Sequence, residues 1–208
     1  SSGVSYCSMK NAYENGVVLV IARDANGINS LAVDFGKKVF TVYGLDDTKA
    51  LEEKMRGAKK AIVIGAGPIG LEVAAALLEK KLEVTVIEAA GNILPRAIDA
   101  DMSDAIQRRL EGEGLKFILG EKASKISEGA VLVGGVEMEY GLAVLSIGIR
   151  PNTALAADAG AKISSAGLEV DEFLRTSLDG VFAVGDVIGA PNIINAKPMG
   201  VGLANSAY

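Results

Sequence analysis

Three glycines and one acid are the residues in this sequence whose types and spacing could best support chemistry. Gly65, Gly67 and Gly70 have the G-x-G-x-x-G spacing. In that pattern the first glycine allows a sharp turn off a strand, the second lets a pyrophosphate approach the backbone, and the third lets a helix pack closely. The pyrophosphate would lie at the helix N-terminus, where free N–H groups and the macrodipole favour negative charge. The spacing therefore predicts a dinucleotide site; the alternative is a turn whose glycines serve packing alone.

The segments on either side of these glycines have the periodicity that such a site needs. Residues 60–64 are typical of a buried strand, and helical spacing follows in Ile69, Val73, Ala76 and Leu77. A second strand is predicted over residues 83–87, and it ends in Glu88, 18 residues after Gly70. A carboxylate at about this distance is placed to accept hydrogen bonds from a nucleotide ribose.

Glu88 also bears on the choice of nucleotide. A carboxylate accepts hydrogen bonds from a free 2′-hydroxyl but repels a 2′-phosphate. The next residues, Ala89, Ala90 and Gly91, include no Arg or Lys that could hold such a phosphate. The sequence therefore favours NADH over NADPH, and the alternative is a solvated glutamate at the end of a strand.

Composition limits the other functions that the chain could have. The 208 residues suit one large domain or two small ones, and half of them are hydrophobic. A net charge of −5 without a basic tract argues against nucleic acid as a partner. No apolar run approaches the ~20 residues that span a membrane. With no histidine and one cysteine, Cys7, we predict no metal site and no internal disulfide, and we expect a cytoplasmic location.

Further elements are predicted around the central stretch. A strand over 17–22, a helix from Ile28 to Phe35 and a strand over 38–43 would form a β-α-β unit, whose turn lacks the glycine pattern. A short helix is expected after Asp46. A longer helix is predicted from about Ala100 to Glu113, with an apolar face that includes Met102, Ile106 and Leu110.

The remaining pattern is that of strands. They are predicted at residues 116–119, 124–126, 130–133, 136–138 and 143–147, the middle three as a β-meander with tight glycine turns. A last strand is predicted over residues 176–186, ending in Gly185-Asp186. A carboxylate at the carboxyl end of a strand would lie where open α/β sheets bind ligands. A capping aspartate is the alternative. This order predicts an α/β fold: a Rossmann-like nucleotide-binding domain with a central parallel sheet and a β-meander.

Four stretches together resemble the pyridine nucleotide–disulfide oxidoreductases, flavoproteins with paired FAD and NAD domains. Within that family the pattern is most similar to the NADH oxidase and coenzyme A-disulfide reductase branch. The stretches are residues 63–72, Leu94-Pro95-Arg96 with Asp99, Asp101 and Met102, residues 147–152, and residues 180–186.

The resemblance implies a role for each matching residue. Gly65, Gly67, Pro68, Ile69 and Gly70 would line the path of the NADH pyrophosphate and nicotinamide. The remaining site residues would be Glu72 near the nicotinamide end, Glu88 at the adenosine ribose, Gly148 beside the bound NADH, and Gly185 with Asp186 at the ribityl chain of FAD. Residues 46–172 would be the NAD-binding domain, and residues 1–45 and 173–208 would be partial FAD-domain segments.

Departures from the family pattern limit what the resemblance implies. The family's N-terminal FAD-binding G-x-G-x-x-G and its redox-active cysteine are absent, so the binding of FAD is in doubt. The sequence also stops at Tyr208, before the family's usual dimer-interface domain, so relative to the family the chain looks truncated at both ends. Residues 5–8 resemble the redox-cysteine region of thioredoxin reductases, but Lys10 replaces the second cysteine. Cys7 is therefore either a redox centre or an inert thiol.

The expected function is that of an NADH-dependent flavin oxidoreductase, or a fragment of one. Hydride would pass from NADH to FAD, and electrons would go on to oxygen or a disulfide as the small-molecule acceptor. The alternative is a non-enzymatic NAD-binding module or subunit that has lost flavin. A homodimer and association with a missing FAD-domain segment both stay open as the state of assembly.

Overall fold

A computed structural model describes residues 18–24, 27–33, 39–40, 45–95, 97–127, 129–148, 151–192, 194–195 and 197–200. The chain divides into two compact units, one ending at Gly148 and the other following it. The helices are α1 (Leu45–Met55), α2 (Pro68–Glu79), α3 (Ala100–Glu113) and α4 (Ala154–Asp158). The α/β fold predicted from the sequence is confirmed.

A five-stranded parallel sheet is the centre of the first unit. Its order is β3 (Val39–Phe40), β10 (Leu142–Leu145), β4 (Lys60–Ile64), β5 (Glu83–Glu88) and β6 (Lys116–Leu119). Four of the five residues of β4, and all four of β10, are buried. Such continuous burial is expected of parallel strands that are covered on both faces.

Alternate residues of the sheet face two different layers. Val63 belongs to a core that includes Ala74 and Leu77 of α2, whereas Ile62 and Ile64 belong to a second core on the other face. The second core is completed by the β-meander of β7 (Ala123–Ser127), β8 (Ala130–Val133) and β9 (Val136–Glu139). The first unit thus has helices, the parallel sheet and the meander as successive layers. The meander is predicted from the sequence, whereas its packing against the sheet is a finding of the structure.

The helix predicted from Ile28 to Phe35 is wrong. Residues Gly27–Val33 form strand β2, which pairs antiparallel with β1 (Val18–Asp24) and parallel with β7. The sequence contains Asn26-Gly27, a pair typical of tight hairpins. Backbone pairing on both sides therefore prevails over a weak helical spacing.

The predicted apolar face of α3 needs one correction. Met102, assigned to the apolar face of α3, is 55% exposed, while Ser103 beside it is completely buried. Ile106 and Leu110 do pack against the first core. The inward stripe of α3 therefore runs through 103, 106 and 110, a three–four spacing that begins one residue later than predicted.

The second unit contains a small four-stranded sheet. Its order is β11 (Ile163–Ser164), β12 (Gly167–Glu169), β13 (Ile188–Pro191) and β14 (Pro198–Met199). The strand predicted to end in Gly185-Asp186 is wrong. Only a single bridge joins Arg175 to Phe182, and residues Gly185–Val187 form a 3-10 turn that precedes β13. Val181, Phe182 and Val184 are exposed, so this apolar run lacks the burial that favours a strand.

Candidate nucleotide-binding site

Two of the three glycines after β4 are fixed by packing. Gly65 has φ = +106°, and a Cβ there would lie 2.0 Å from the carbonyl oxygen of Ser146. A Cβ on Gly70 would lie 2.0 Å from the carbonyl oxygen of Gly65. No side chain fits at either position, because the turn, the start of α2 and the end of β10 approach one another through their backbones.

Gly67 differs from both of these glycines. Its φ is −74°, which any residue can adopt, and a Cβ there would have no heavy atom within 4 Å. Packing within the described protein therefore does not require a glycine at this position. Open space beside the backbone is what a pyrophosphate needs for close approach, and Gly67 is the one of these three glycines that offers it.

The N-terminus of α2 offers hydrogen-bond donors to that space. Gly67 is the N-cap, no side chain caps the helix, and Pro68 occupies the first turn. The amides of Gly67, Ile69 and Gly70 have no acceptor among the described residues, whereas the amide of Leu71 donates to the carbonyl of Gly67 at 3.0 Å. Free amides at a helix N-terminus, together with the macrodipole, favour an anion.

Glu88 lies at the end of β5 and is tied to the same turn. Its Oε2 accepts a hydrogen bond from the amide of Ala66 at 2.8 Å, and its Oε1 accepts one from the amide of Ala90 at 2.9 Å. The side chain is half-buried. A carboxylate has about four acceptor positions, so two remain for hydroxyl donors of a ligand. Glu88 is thus fixed in orientation and still able to bind a ribose.

The remaining predicted residues of the first unit lie at the same edge of the sheet. Pro68 and Glu72 are exposed on α2, and Ile69 is 46% exposed. Gly148 is exposed, has φ = +105° and follows β10, which runs parallel to β4. The start of α2, Glu88 and Gly148 therefore follow the carboxyl ends of β4, β5 and β10, the edge at which open α/β sheets bind ligands.

Other predicted residues lie elsewhere. Gly185 has φ = +80° and Asp186 is exposed, both in the 3-10 turn of the second unit. Cys7 and Arg96 lie outside the described residues. In the part of the chain that the structure describes, no group of His, Cys, Asp or Glu is arranged to hold a metal ion. The helices described there are all too short or too polar to cross a membrane.

The first-unit residues fit an adenine dinucleotide. The open space at Gly67 fits a pyrophosphate, the α2 amides supply donors to it, and Glu88 supplies oriented acceptors for a ribose. The fit of FAD is weaker. The G-x-G-x-x-G spacing occurs once in the sequence, so the described residues offer Asp186 without a second cradle of the same kind for a pyrophosphate.

Known proteins resemble most of this chain in sequence. The sequence profile of the pyridine nucleotide-disulphide oxidoreductase family matches residues 19–205. The chain is 38% identical over 165 residues to an NADH oxidase of Methanocaldococcus jannaschii, which covers 76% of this chain and 37% of that protein. It is 34% identical over 178 residues to a rubredoxin-NAD(+) reductase of Acinetobacter baylyi, covering 81% of this chain and 45% of that protein.

A solved structure of an NADH oxidase is also similar to this chain. The water-forming NADH oxidase of Lactobacillus brevis, bound to NADH, matches 92% of this chain and 42% of its own with a TM-score of 0.77 and 27% identity. The chain spans less than half the length of these relatives. The profile match covers most of the sequence, and the chain therefore belongs to the pyridine nucleotide-disulphide oxidoreductase family.

Proposed function

We propose that this chain is the NADH-binding part of an NADH-dependent flavin oxidoreductase. Residues 46–172 are assigned to the NAD-binding domain, and residues 1–45 and 173–208 to segments of an FAD domain. The family uses FAD and a pyridine nucleotide, in agreement with the relatives named NADH oxidase and rubredoxin-NAD(+) reductase. For the protein to which this chain corresponds, we propose oxygen or a disulfide as the electron acceptor, as in an NADH oxidase.

The anchoring of Glu88 is the observation that carries the proposal. Each carboxylate oxygen accepts one backbone N–H, so the group is oriented before any ligand arrives. Binding a ribose then requires little further ordering of the side chain, and that lowers the entropic cost of association. Because the Ala66 amide belongs to the glycine turn, the ribose acceptor and the pyrophosphate cradle are held at a fixed separation.

The same anchoring supports NADH as the preferred nucleotide. A 2′-phosphate would face an oriented carboxylate, and like charges at such a distance repel. The following residues, Ala89 and Ala90, supply no positive charge to offset that repulsion. The amide of Ala90 is already used by Glu88, so it is not a free donor for a phosphate.

The chain's own residues have positioning roles in this function. The amides at the start of α2 hold the pyrophosphate, and Glu88 holds the adenosine ribose. Glu72 and Gly148 lie at the same sheet edge and are assigned to the nicotinamide half. A flavin, when bound, supplies the hydride acceptor. Asp186 is assigned to the ribityl chain of that flavin.

A second candidate function is an NAD-binding module without flavin. It is supported by the single G-x-G-x-x-G spacing and by the exposure of Asp186 on a turn instead of at a strand end. The two functions differ in whether the protein to which this chain corresponds carries flavin. The absorption spectrum of that whole protein separates them, because bound flavin gives a yellow colour.

Titration with NADH tests the proposal directly. NADH fluorescence should change saturably on addition of the 208-residue chain, and ADP-ribose should displace the nucleotide. Absence of a saturable change at millimolar NADH would refute the proposed function.

A further inference from the structure

A buried serine on α3 holds the loop that follows Glu88. Ser103 is 0% exposed, and its hydroxyl donates a hydrogen bond to the carbonyl oxygen of Ile93 at 2.8 Å. Ile93 is also 0% exposed, and its carbonyl receives one longer bond, from Asn92 Nδ2 at 3.3 Å. A hydrogen bond away from water is strengthened by the low local dielectric, and removal of the Ser103 hydroxyl would leave this buried carbonyl with the longer bond alone.

The next residue of that loop has an unfavourable backbone conformation. Leu94 has φ = +51°, a left-handed conformation that leucine adopts only where its surroundings enforce it. Its carbonyl accepts bonds from the amides of Ala97 at 2.9 Å and Ile98 at 3.4 Å. Its amide donates to the carbonyl of Ala66 at 2.9 Å. The bond from Ser103 to the preceding carbonyl thus adds a side-chain contact from α3 to the peptide that leads into this conformation.

Ala66 joins this loop to the nucleotide-binding site. Its carbonyl accepts the bond from Leu94, and its amide donates the 2.8 Å bond to Glu88 Oε2. It lies between Gly65 and Gly67 and is 0% exposed. Three hydrogen bonds thus form a continuous path. The Ser103 hydroxyl bonds the peptide between residues 93 and 94, that peptide bonds the Ala66 carbonyl, and the Ala66 amide bonds the Glu88 carboxylate.

We propose that Ser103 is a positioning residue for the adenosine ribose of the nucleotide. Its hydroxyl holds the 93–94 peptide of the loop against α3. The bond from this peptide to Ala66 then sets the position of Ala66 and, through it, the orientation of Glu88. This inference rests on the proposed function, since it takes a ribose as the ligand of Glu88. Ser103 acts through backbone groups, because it is fully buried.

A double-mutant cycle with ADP-ribose as the probe tests the proposal. Ser103→Ala should weaken ADP-ribose binding about five- to tenfold, which corresponds to about 1–1.4 kcal/mol. In a Glu88→Ala background the same substitution should have less than half of that effect, because the side chain that accepts from the Ala66 amide is already absent. Ser127→Ala is the matched control: it removes a hydroxyl that donates to the Ala130 carbonyl at 3.3 Å in the meander, and it should leave affinity unchanged.

A second variant, Ser103→Cys, and a second measurement, hydrogen exchange, test the proposal if Ser103→Ala folds poorly. Ser103→Cys keeps the shape of the side chain but donates weakly, so it should give an intermediate affinity. Hydrogen exchange should be faster at the Leu94 and Ala66 amides in either variant. The Tyr140 amide, which donates to the Gly129 carbonyl at 2.9 Å in the meander, should be unchanged.

The outcomes separate this inference from the proposed function. If the unmodified chain does not bind ADP-ribose, the proposed function fails, and with it the role of Ser103. If it binds, but the Ser103 variants bind equally well, or their effect is fully additive with Glu88→Ala, the positioning role is overturned while the proposed function stands. Unchanged exchange at Leu94 and Ala66 in folded variants would also overturn it.

Discussion

The carboxylate of Glu88 accepts a hydrogen bond from the backbone amide of Ala66, at 2.8 Å and across 22 residues of sequence. This bond connects the glycine turn after β4 with the end of β5, the two parts of the proposed nucleotide site. A second backbone bond, from Ala90, leaves the carboxylate little freedom to rotate. Substitutions at Glu88 should therefore change both the choice of nucleotide and the geometry of the glycine turn.

Glu88→Gln should narrow the preference for NADH over NADPH. The neutral amide no longer repels a 2′-phosphate, and NADH itself should bind about tenfold more weakly because a charge-assisted acceptor is lost. Glu88→Arg should narrow the preference for NADH over NADPH still more, or reverse it, because the guanidinium attracts the 2′-phosphate. Dissociation constants for both nucleotides measure this. Glu79→Gln, at the exposed end of α2, is the control and should change neither. Equal affinities for NADH and NADPH in the unmodified chain would contradict the role of Glu88.

Gly67→Ala should abolish most nucleotide binding without loss of stability. Its Cβ has no neighbour within 4 Å in the protein, but it would occupy the space of the pyrophosphate. Loss of one close charge-assisted contact, worth ~1.5–3 kcal/mol, predicts roughly a ten- to hundredfold weaker affinity. Thermal unfolding and NADH titration are the paired measurements. An alanine variant that binds NADH normally would show that the ligand does not approach this position.

Gly70→Ala should instead destabilise the fold. Its Cβ would lie 2.0 Å from the Gly65 carbonyl oxygen, and overpacking of this kind costs about 1–3 kcal/mol or more. Gly112→Ala, within α3 and with no atom within 4 Å of the new Cβ, should stabilise by ~0.5–1 kcal/mol. Urea unfolding of the two variants gives the comparison. A Gly70→Ala variant as stable as the unmodified chain would contradict the packing described here.

The cross-strand pair of Glu83 and Lys116 should make stability depend on pH. The hydrogen bond from Lys116 Nζ to Glu83 Oε1, at 2.5 Å, holds the pKa of Glu83 below its ordinary value of 4.5. Because the pKa of Glu83 is lower in the folded protein than in the unfolded chain, the pair stabilises the fold at any pH above the unfolded-state pKa. This contribution is lost as the pH falls through the folded-state pKa.

Glu83→Gln should therefore lower the thermal midpoint slightly at neutral pH and not at about pH 2. The two side chains are exposed, so added salt should shrink the neutral-pH difference. A difference that persists at low pH would show that the effect of the substitution is not due to the carboxylate charge.

The chain should bind FAD weakly. A complete FAD site holds both ends of the cofactor, and the sequence has one G-x-G-x-x-G, which we assign to NADH. Loss of two or three charge-assisted backbone contacts weakens binding by roughly a thousandfold or more. The ratio of flavin to protein absorbance after purification measures this. A stoichiometric yellow protein, made substoichiometric by Asp186→Asn, would contradict the prediction and establish a working FAD site.

How far the sequence predicts this molecule depends on how local each feature is. The strand–turn–helix at residues 60–79 and the acid at Glu88 are encoded within short windows, so their periodicity is sufficient. The hairpin of β1 and β2 is stabilised by pairing with β7, which lies far away in sequence. Helical spacing over residues 28–35 carries no information about that partner.

The candidate site likewise has features that the sequence predicts and features that it does not. The spacing of the glycines predicts a cradle, but it does not distinguish Gly67, which faces open space, from Gly65 and Gly70, which face backbone oxygens. That distinction depends on where residue 146 lies. Ser103 was missed because a buried serine has no distinctive periodicity, and its partner at Ile93 belongs to an irregular loop.

Strand β10 has a consequence for how the protein is made. It pairs with β4 and places the Ser146 carbonyl against Gly65, yet it is synthesised after the whole segment from β5 to β9. At ~5–20 residues per second, a ribosome needs on the order of ten seconds to cover that interval. During this time one edge of β4 lacks its partner, and an unpaired apolar strand is a template for aggregation. Because late, non-local pairing is slow, nascent chains should be most dependent on chaperones until residue 146 has left the ribosome.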